Sequence, residues 1–173
     1  MTTDAPEPAL APDELVSNSQ EREVLEAFLD MYREIVRRKV AGLPPEQLGQ
    51  RLVPSRTTLA GLIQHLTAVE QEWFQLVLAQ RPAGEVAGRP ADDGWAIGRG
   101  KTADRMIAEY DRACAASREI ASGFGLDDAA PHQRLGHVSL RWVYVHLIEE
   151  TARHAGHADI LREQTDGATG FDG

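Results

Sequence analysis

The chain has 173 residues, of which 42% are hydrophobic, and carries a formal net charge of −9 with a pI near 5.1. This length suits a single domain with a sizeable core. The acidic balance opposes binding to nucleic acid or anionic membranes, because both depend on clustered Lys and Arg. No apolar run is long enough for a membrane span and no N-terminal segment resembles a signal peptide, so we expect a cytoplasmic protein.

Cysteine usage limits the possible chemistry. Cys114 is the single cysteine, which excludes an internal disulfide framework and a thiolate-rich zinc cluster. Any metal ligands would therefore be His, Asp or Glu. Cys114 lies at helical spacing from Tyr110, and we interpret it as a small core residue rather than a nucleophile.

The N-terminal part of the chain predicts an arm and a helix. Residues 1–17 hold three prolines and four acidic residues without a basic one, which predicts a flexible arm. Apolar residues then recur at helical spacing over 20–41 and predict the first helix, which Gly42, Pro44 and Pro45 end.

A second helix is predicted over 57–80, with Thr57 or Thr58 as its N-cap. Residues 82–100 contain five glycines and two prolines without a period, which predicts a long connection. A link of this length can cross the end of a helical bundle, so the second and third helices need not be antiparallel neighbours.

The third helix is predicted over 102–123 with Thr102 as its cap, and the last helix over 139–163. Between them lies a polar link whose histidines, His132 and His137, we interpret as solvated loop residues. Four helices and no convincing strand predict an all-α fold, a four-helix bundle with the long connection between helices two and three. We assign the bundle residues 18–165 and a C-terminal tail residues 166–173. The predicted core includes Leu25, Phe28, Ile63, Leu66, Met106, Tyr110, Val143 and Leu147.

Two potential metal ligands stand four residues apart in the run HLIEETARHAGHADILRE (146–163). Glu150 and His154 should project from one face of one helix, where both can reach one divalent ion if another helix supplies a third ligand. His65, in the run LAGLIQHLTAVEQEWF (59–74), is the best candidate for that ligand. Three protein ligands would leave an open position, as expected of a catalytic site.

Neighbouring polar residues leave alternatives open. His146 and His157 lie on the same stripe of the last helix and can bind the ion or hydrogen-bond a ligand. His157 is also the candidate general base, because an imidazole titrates near neutral pH. Glu149 is about 100° round the helix and four residues before Arg153, which predicts a surface ion pair. The stripe can also be a hydrogen-bonded seam without metal.

The runs QHLTAVEQEWF and HLIEETARHAGHADILRE resemble the DinB-like superfamily, which includes mycothiol-dependent maleylpyruvate isomerases and thiol S-transferase relatives. The resemblance covers nearly the whole chain after residue 20. It implies a four-helix bundle with a divalent ion, often zinc or nickel, held by one histidine of the second helix and two residues four apart on the last helix. These positions correspond to His65, Glu150 and His154.

The last helix also shows where the chain differs from other members. Many have His where Glu150 stands, whereas the mycothiol isomerase branch is similar to this chain in using Glu. Gly156-His157 replaces a common Gly-Gln pair. The ending Ile160-Leu161-Arg162-Glu163 resembles an uncharacterised actinobacterial subgroup, and the 16 Arg against 2 Lys fit such a GC-rich source.

The resemblance implies an enzyme in which the ion lowers the pKa of a low-molecular-weight thiol and presents it to an electrophile, for S-transfer or isomerisation. In an actinobacterial source the thiol would be mycothiol, and metal-assisted hydrolysis is a close variant. The alternatives are a non-catalytic metal-binding module, associated with stress or mobile elements, and a metal-free bundle. We expect a small-molecule thiol and an electrophile as partners, and a monomer or homodimer.

Overall fold

A computed structural model describes residues 10–86 and 100–170, and most of these residues are helical. The main part of the predicted all-α class is therefore confirmed. In chain order the elements are α1 (Pro12–Leu15), α2 (Glu21–Val40), α3 (Pro45–Leu48), α4 (Leu59–Glu70) with a π-helical continuation (Gln71–Leu78), a 3-10 turn (Ala83–Glu85), α5 (Ala103–Ser122), β1 (Ala129–His132), β2 (Gly136–Ser139) and α6 (Leu140–Asp166).

The long helices α4, α5 and α6 begin at polar caps that the sequence predicts. Thr58, Thr102 and Ser139 each accept a hydrogen bond from the backbone N–H three residues further on. Each bond satisfies a donor that the first helical turn leaves without a partner. Thr58 rather than Thr57 is thus the cap of α4.

Helices α4 and α5 are neighbours that run in the same direction. Lys101, just before α5, contacts Gln64 in the first half of α4. Ile120, near the end of α5, shares a hydrophobic cluster with Phe74 of the π-helical continuation. Because parallel neighbours need a connection that returns along their length, the long link after residue 80 is required. The prediction that these helices are not antiparallel neighbours is confirmed, although residues 87–99 lie outside the described part of the chain.

Helix α6 runs parallel to α2 and antiparallel to α4. Arg141 at its start binds Glu21 at the start of α2, and Arg162 near its end donates to the Lys39 carbonyl. In contrast, the early residue His65 of α4 lies opposite Glu150, in the middle of α6. Antiparallel packing of α4 and α6 therefore brings together the two sequence runs that carry the candidate ligands.

The core confirms six of the eight predicted residues, which are Ile63, Leu66, Met106, Tyr110, Val143 and Leu147. Leu25 and Phe28 are only half-buried, so these two predictions were wrong. Helix α2 buries Leu29 completely, as its helical pattern predicts, and also buries Arg33 and Lys39. Those two cations are paired with acids, and a pattern that counts only apolar residues does not predict their burial.

The absence of strands was also a wrong prediction. Strands β1 and β2 form an antiparallel hairpin directly before α6, with Gly136 in the left-handed conformation at φ 76°. The hairpin buries Ala130 and Val138 against the cluster that contains Phe74. Strands of four residues are too short to show a clear alternation in the sequence. His132 and His137 are therefore strand residues rather than loop residues.

The chain ends differ in part from the predicted arm and tail. Helix α1 lies inside the predicted arm, 1–17, of which residues 1–9 fall outside the described part. Helix α6 extends to Asp166, and the Gly170 carbonyl accepts a hydrogen bond from Lys39. None of the described helices is long and apolar enough to cross a membrane. The domain boundary at residues 18–165 stays a prediction.

Candidate metal centre

Helices α4 and α6 bring the three predicted ligands to one place. One ligand atom from each of His65, Glu150 and His154 lies within 4.8 Å of the other two. The His65 Nε2 atom is 2.9 Å from the Glu150 Oε1 atom, and His154 Nε2 is 3.3 Å from the same oxygen. The two imidazole rings meet edge to face, with their centres 4.8 Å apart.

The local sequence explains why these side chains face one another. On α6, Glu150 and His154 are one turn apart. They lie beside Leu147 and Thr151, whose side chains are fully buried. The ligand side chains themselves are 14–33% exposed, with His154 the least accessible of the three. The site thus lies at the edge of the core, where a small molecule can approach it from solvent.

The protonation states suit metal binding. Burial alone would raise the pKa of Glu150, but the His65 hydrogen bond and the nearby imidazoles lower it below its ordinary value. Burial lowers the pKa of His154, although Glu150 opposes this shift. The carboxylate is therefore charged and the His154 imidazole neutral near pH 7, the forms in which both groups bind a metal ion.

Glu149 does not belong to the site. It forms an ion pair with Arg153 on the exposed side of α6, as predicted. Glu150, by contrast, has only His65 and His154 as ion-pair partners within the described ranges. No arginine or lysine of those ranges neutralises this carboxylate, so its charge is available to a cation.

His157 stands next to the site rather than in it. Its exposed side chain places Nδ1 at 3.3 Å from Nδ1 of His154. Since Nε2 of His154 faces Glu150, the two ring nitrogens of His154 face different partners. His157 can therefore fix the orientation of the His154 ring, and its exposure also allows proton exchange with solvent.

His146 belongs to a different cluster. Its ring is 5.0 Å from that of Trp142 and 4.8 Å from that of Trp73, and Trp73 also stacks on His132. No functional role was predicted for either tryptophan. Their positions could have indicated one, because Trp142 lies one turn before His146 and Trp73 lies two turns after His65.

The donor set fits a divalent ion. Two imidazole nitrogens and one carboxylate oxygen are ligands that zinc and nickel accept, and three protein ligands leave a position open. The same contacts also satisfy a hydrogen-bonded seam without metal, because Glu150 accepts from both histidines when those nitrogens carry protons. Metal content is the measurement that separates the two.

A His/Glu/His cluster between two antiparallel helices of a mostly helical chain is typical of the DinB-like proteins. Within that class, the model of the mycothiol S-transferase family matches residues 24–167, and the chain belongs to this family. The match extends from α2 to the end of α6 and includes all three candidate ligands. No curated protein matches the chain.

Proposed function

We propose that the chain is a cytoplasmic, divalent-metal-dependent enzyme that activates a low-molecular-weight thiol of the mycothiol type and transfers it to an electrophile. In this proposal the four long helices form a four-helix bundle, and the groove between α4 and α6 is the active site. The observation that carries the proposal is the convergence of His65, Glu150 and His154 in a member of the mycothiol S-transferase family.

His65, Glu150 and His154 would hold the ion, with zinc or nickel as the best candidates. Two neutral imidazoles and one carboxylate leave a net positive charge at a site that holds a dication, which favours an anionic partner. When bound, the ion would supply a Lewis acid that lowers the pKa of a thiol placed beside it.

The chain's own residues would complete the reaction. His157 would accept the thiol proton and release it to solvent, for which its exposure is suited. The sulfur would then form a bond to the electrophilic carbon, while the bond to the leaving group breaks and the leaving group departs with the electron pair. Before the reaction, His157 Nδ1 would accept a hydrogen bond from the protonated Nδ1 of His154, and it would give up this bond when it takes the thiol proton.

A non-catalytic metal-binding protein is the second candidate. It is favoured by the partly buried, mutually hydrogen-bonded ligands, which would hold an ion equally well without a substrate. The two functions differ in what they predict for thiol chemistry, whereas both require a metal.

The first experiment measures metal content in protein purified without an affinity tag. His65→Ala should remove most of the metal, because it takes away one of three ligands, and we expect affinity to fall at least ~100-fold. His132→Ala is the matched control and should keep its metal. Equal metal content in the two variants would refute the ligand assignment.

The second experiment measures conjugation of mycothiol to 1-chloro-2,4-dinitrobenzene, with release of chloride. A chelator should abolish turnover, and added Zn²⁺ or Ni²⁺ should restore it. A wild-type protein that binds metal but conjugates no thiol would favour the non-catalytic alternative. Turnover that is insensitive to chelator would exclude the metal from the reaction.

A further inference from the structure

Four aromatic rings form a continuous surface on the same side of the molecule as the metal ligands. We name it the aromatic platform, and it consists of Trp73, His132, Trp142 and His146. Trp73 stacks on His132 with ring centres 5.3 Å apart and an angle of 10°. Trp142 stacks on His146 at 5.0 Å and 19°, and the two tryptophans are 5.0 Å apart.

Three elements hold the platform. Trp142 and His146 belong to α6, and His132 ends strand β1. Trp73 lies in the π-helical stretch of the second long helix. A π-helix shifts side-chain positions relative to an uninterrupted α-helix, and such stretches are frequent at functional sites. The hairpin that the sequence did not predict therefore supplies one wall of the platform.

The platform is accessible and has open polar edges. Trp142 is 40% exposed, although a tryptophan on a helix can usually bury most of its surface. Within residues 10–86 and 100–170, no hydrogen-bond partner is found for either indole N–H or for the His146 ring. Buried or partly buried indole N–H groups usually find a partner. Ring faces with free N–H groups at their edges suit a ligand that is apolar on its faces and polar at its rim.

The platform adjoins the metal ligands. Along the helix axis, His146 precedes Glu150 by four residues, about 6 Å, and Trp142 precedes it by eight residues, about 12 Å. In a cysteine amide of an amino sugar, the sulfur and the sugar ring are separated by roughly 6 Å. A thiol with its sulfur at His65, Glu150 and His154 can therefore place its first ring beside His146, and a second ring joined to the first can extend to Trp142.

We propose that the aromatic platform binds the polyhydroxylated ring portion of the thiol cosubstrate. This proposal rests on the proposed function. The C–H face of the second ring would stack on Trp142, and the hydroxyl groups of both rings would exchange hydrogen bonds with the indole N–H groups and the imidazole of His146. The platform holds no carboxylate and no arginine or lysine, so it recognises an uncharged polyol rather than an ionic group.

The kinetic test compares two thiols that differ in the ring portion. Mycothiol carries an amino sugar linked to a cyclitol, whereas N-acetylcysteine carries neither. Trp142→Ala should raise the KM for mycothiol about 5- to 10-fold, the loss expected for one aromatic stacking contact. The KM for N-acetylcysteine should stay within about 2-fold, because that thiol does not reach the platform. Trp142→Phe keeps a ring face but lacks the N–H, so its KM for mycothiol should lie between those of the wild type and Trp142→Ala.

Ile160→Ala is the matched control. Ile160 is an exposed apolar residue on the same helix. It comes after His154 in the chain, whereas the platform residues of α6 come before Glu150. This variant should leave the KM for both thiols unchanged. An equal rise for both thiols in Trp142→Ala would mean that Trp142 only supports the local structure, and an unchanged KM for mycothiol would overturn the proposal.

A binding measurement keeps this proposal separate from catalysis. N-acetylglucosaminyl-inositol, which keeps the two uncharged rings and the amide of mycothiol but lacks its thiol, is titrated into ¹⁵N-labelled protein, with and without Zn²⁺. The indole N–H signals of Trp73 and Trp142 should shift in both conditions, and Trp142→Ala should reduce the shift of Trp73. If no thiol is conjugated but these signals still shift, the proposed function fails and the platform stands. If conjugation is normal but neither indole signal responds, the platform proposal fails alone.

Discussion

Two sites between long helices, one between α2 and α5 and the other between α4 and α6, differ in the partners of their acidic side chains. Between α2 and α5, a cavity of about 350 Å³ is lined by Arg22, Arg33 and Arg118 together with Glu26 and Asp30. Each of these carboxylates is paired with an arginine. Between α4 and α6, the Glu150 carboxylate is paired only with imidazoles. Arginine keeps its charge at all relevant pH values, whereas an imidazole can be neutral, so only the second groove leaves negative charge for a cation.

The pairing of its charges explains why the α2–α5 cavity is not the candidate active site. Arg33 is 4% exposed and forms two hydrogen bonds of 2.7 Å to Glu70, which is 1% exposed. Its third contact, to Asp30, connects the pair to Arg118 at the surface. Each of these charged groups already has a partner of opposite charge. They fix the packing of α2 against its neighbours and leave no uncompensated charge for a ligand. In the α4–α6 groove, by contrast, the negative charge of Glu150 is not neutralised when its imidazole partners are neutral.

The largest effect is expected from breaking the buried Arg33–Glu70 pair, which joins α2 to α4 and whose arginine lines the α2–α5 cavity. Glu70→Gln leaves the Arg33 guanidinium buried without its counter-charge and should lower the free energy of unfolding by about 3–5 kcal/mol. Urea denaturation measures the loss. The folded variant should keep its metal, because Glu70 is not a ligand.

The double variant Arg33→Met/Glu70→Leu is the control for this prediction. It removes both charges and should be more stable than Glu70→Gln, because no uncompensated charge remains. A loss below about 1 kcal/mol in Glu70→Gln would show that the buried pair contributes little to the fold. Loss of metal from folded Glu70→Gln would show that the two regions are coupled.

A smaller effect is expected at the edge of the α4–α6 groove. His157→Gln should keep the metal and lower turnover by about 100-fold, the lower end of the contribution typical of a general base. Added imidazole should restore part of the activity of His157→Ala, because the position is open to solvent. A structural role would not respond to imidazole. If His157→Gln loses its metal together with its activity, His157 is a ligand and the set of three must be redrawn.

Acid titration tests the charge pairing of the α2–α5 groove. Burial would raise the pKa of Asp30, but its hydrogen bonds from Arg118 and Arg33 lower it below the ordinary value of 3.8. A depressed pKa contributes stability that is complete above the unfolded value and is lost as the pH falls through the folded value. Asp30→Asn should therefore be less stable than wild type at neutral pH, and the difference should shrink below about pH 3.8. A difference that is constant with pH would contradict this origin.

The sequence predicts most of the helical framework because its signals are local. Helical periodicity and polar caps depend on residues that are near each other in the chain, and the long helices α2, α4, α5 and α6 begin within two residues of their predicted starts. Two of the three candidate ligands, Glu150 and His154, are predictable for the same reason, because they are one turn apart on one helix. His65, on another helix, was selected from its own helical run as the best candidate for the third ligand, and the family resemblance then implied the same residue.

Features that depend on long-range pairing were not predicted. The burial of Arg33 and Lys39 on α2 was not predicted, because these cations become buried only through acids on other helices. The hairpin is held by packing on the core rather than by a strong strand pattern. The aromatic platform combines both difficulties, because His132 comes from the hairpin and Trp73 from a π-helical stretch.

The smallest effect on turnover and stability is expected from replacing Cys114. This substitution tests whether the α2–α5 region is structural and takes no part in the reaction. Its side chain is 3% exposed, and burial, with the nearby Glu70 charge, raises the pKa of the thiol well above its ordinary value. A thiol in this state is a poor nucleophile. Cys114→Ala should therefore change turnover by less than about 2-fold and cost only about 1 kcal/mol of stability. Iodoacetamide should label the native wild-type protein slowly and the urea-unfolded protein rapidly. If Cys114→Ala instead lost activity while it kept its fold and its metal, the chain's own sulfur would take part in the reaction, and the α2–α5 region could no longer be regarded as purely structural.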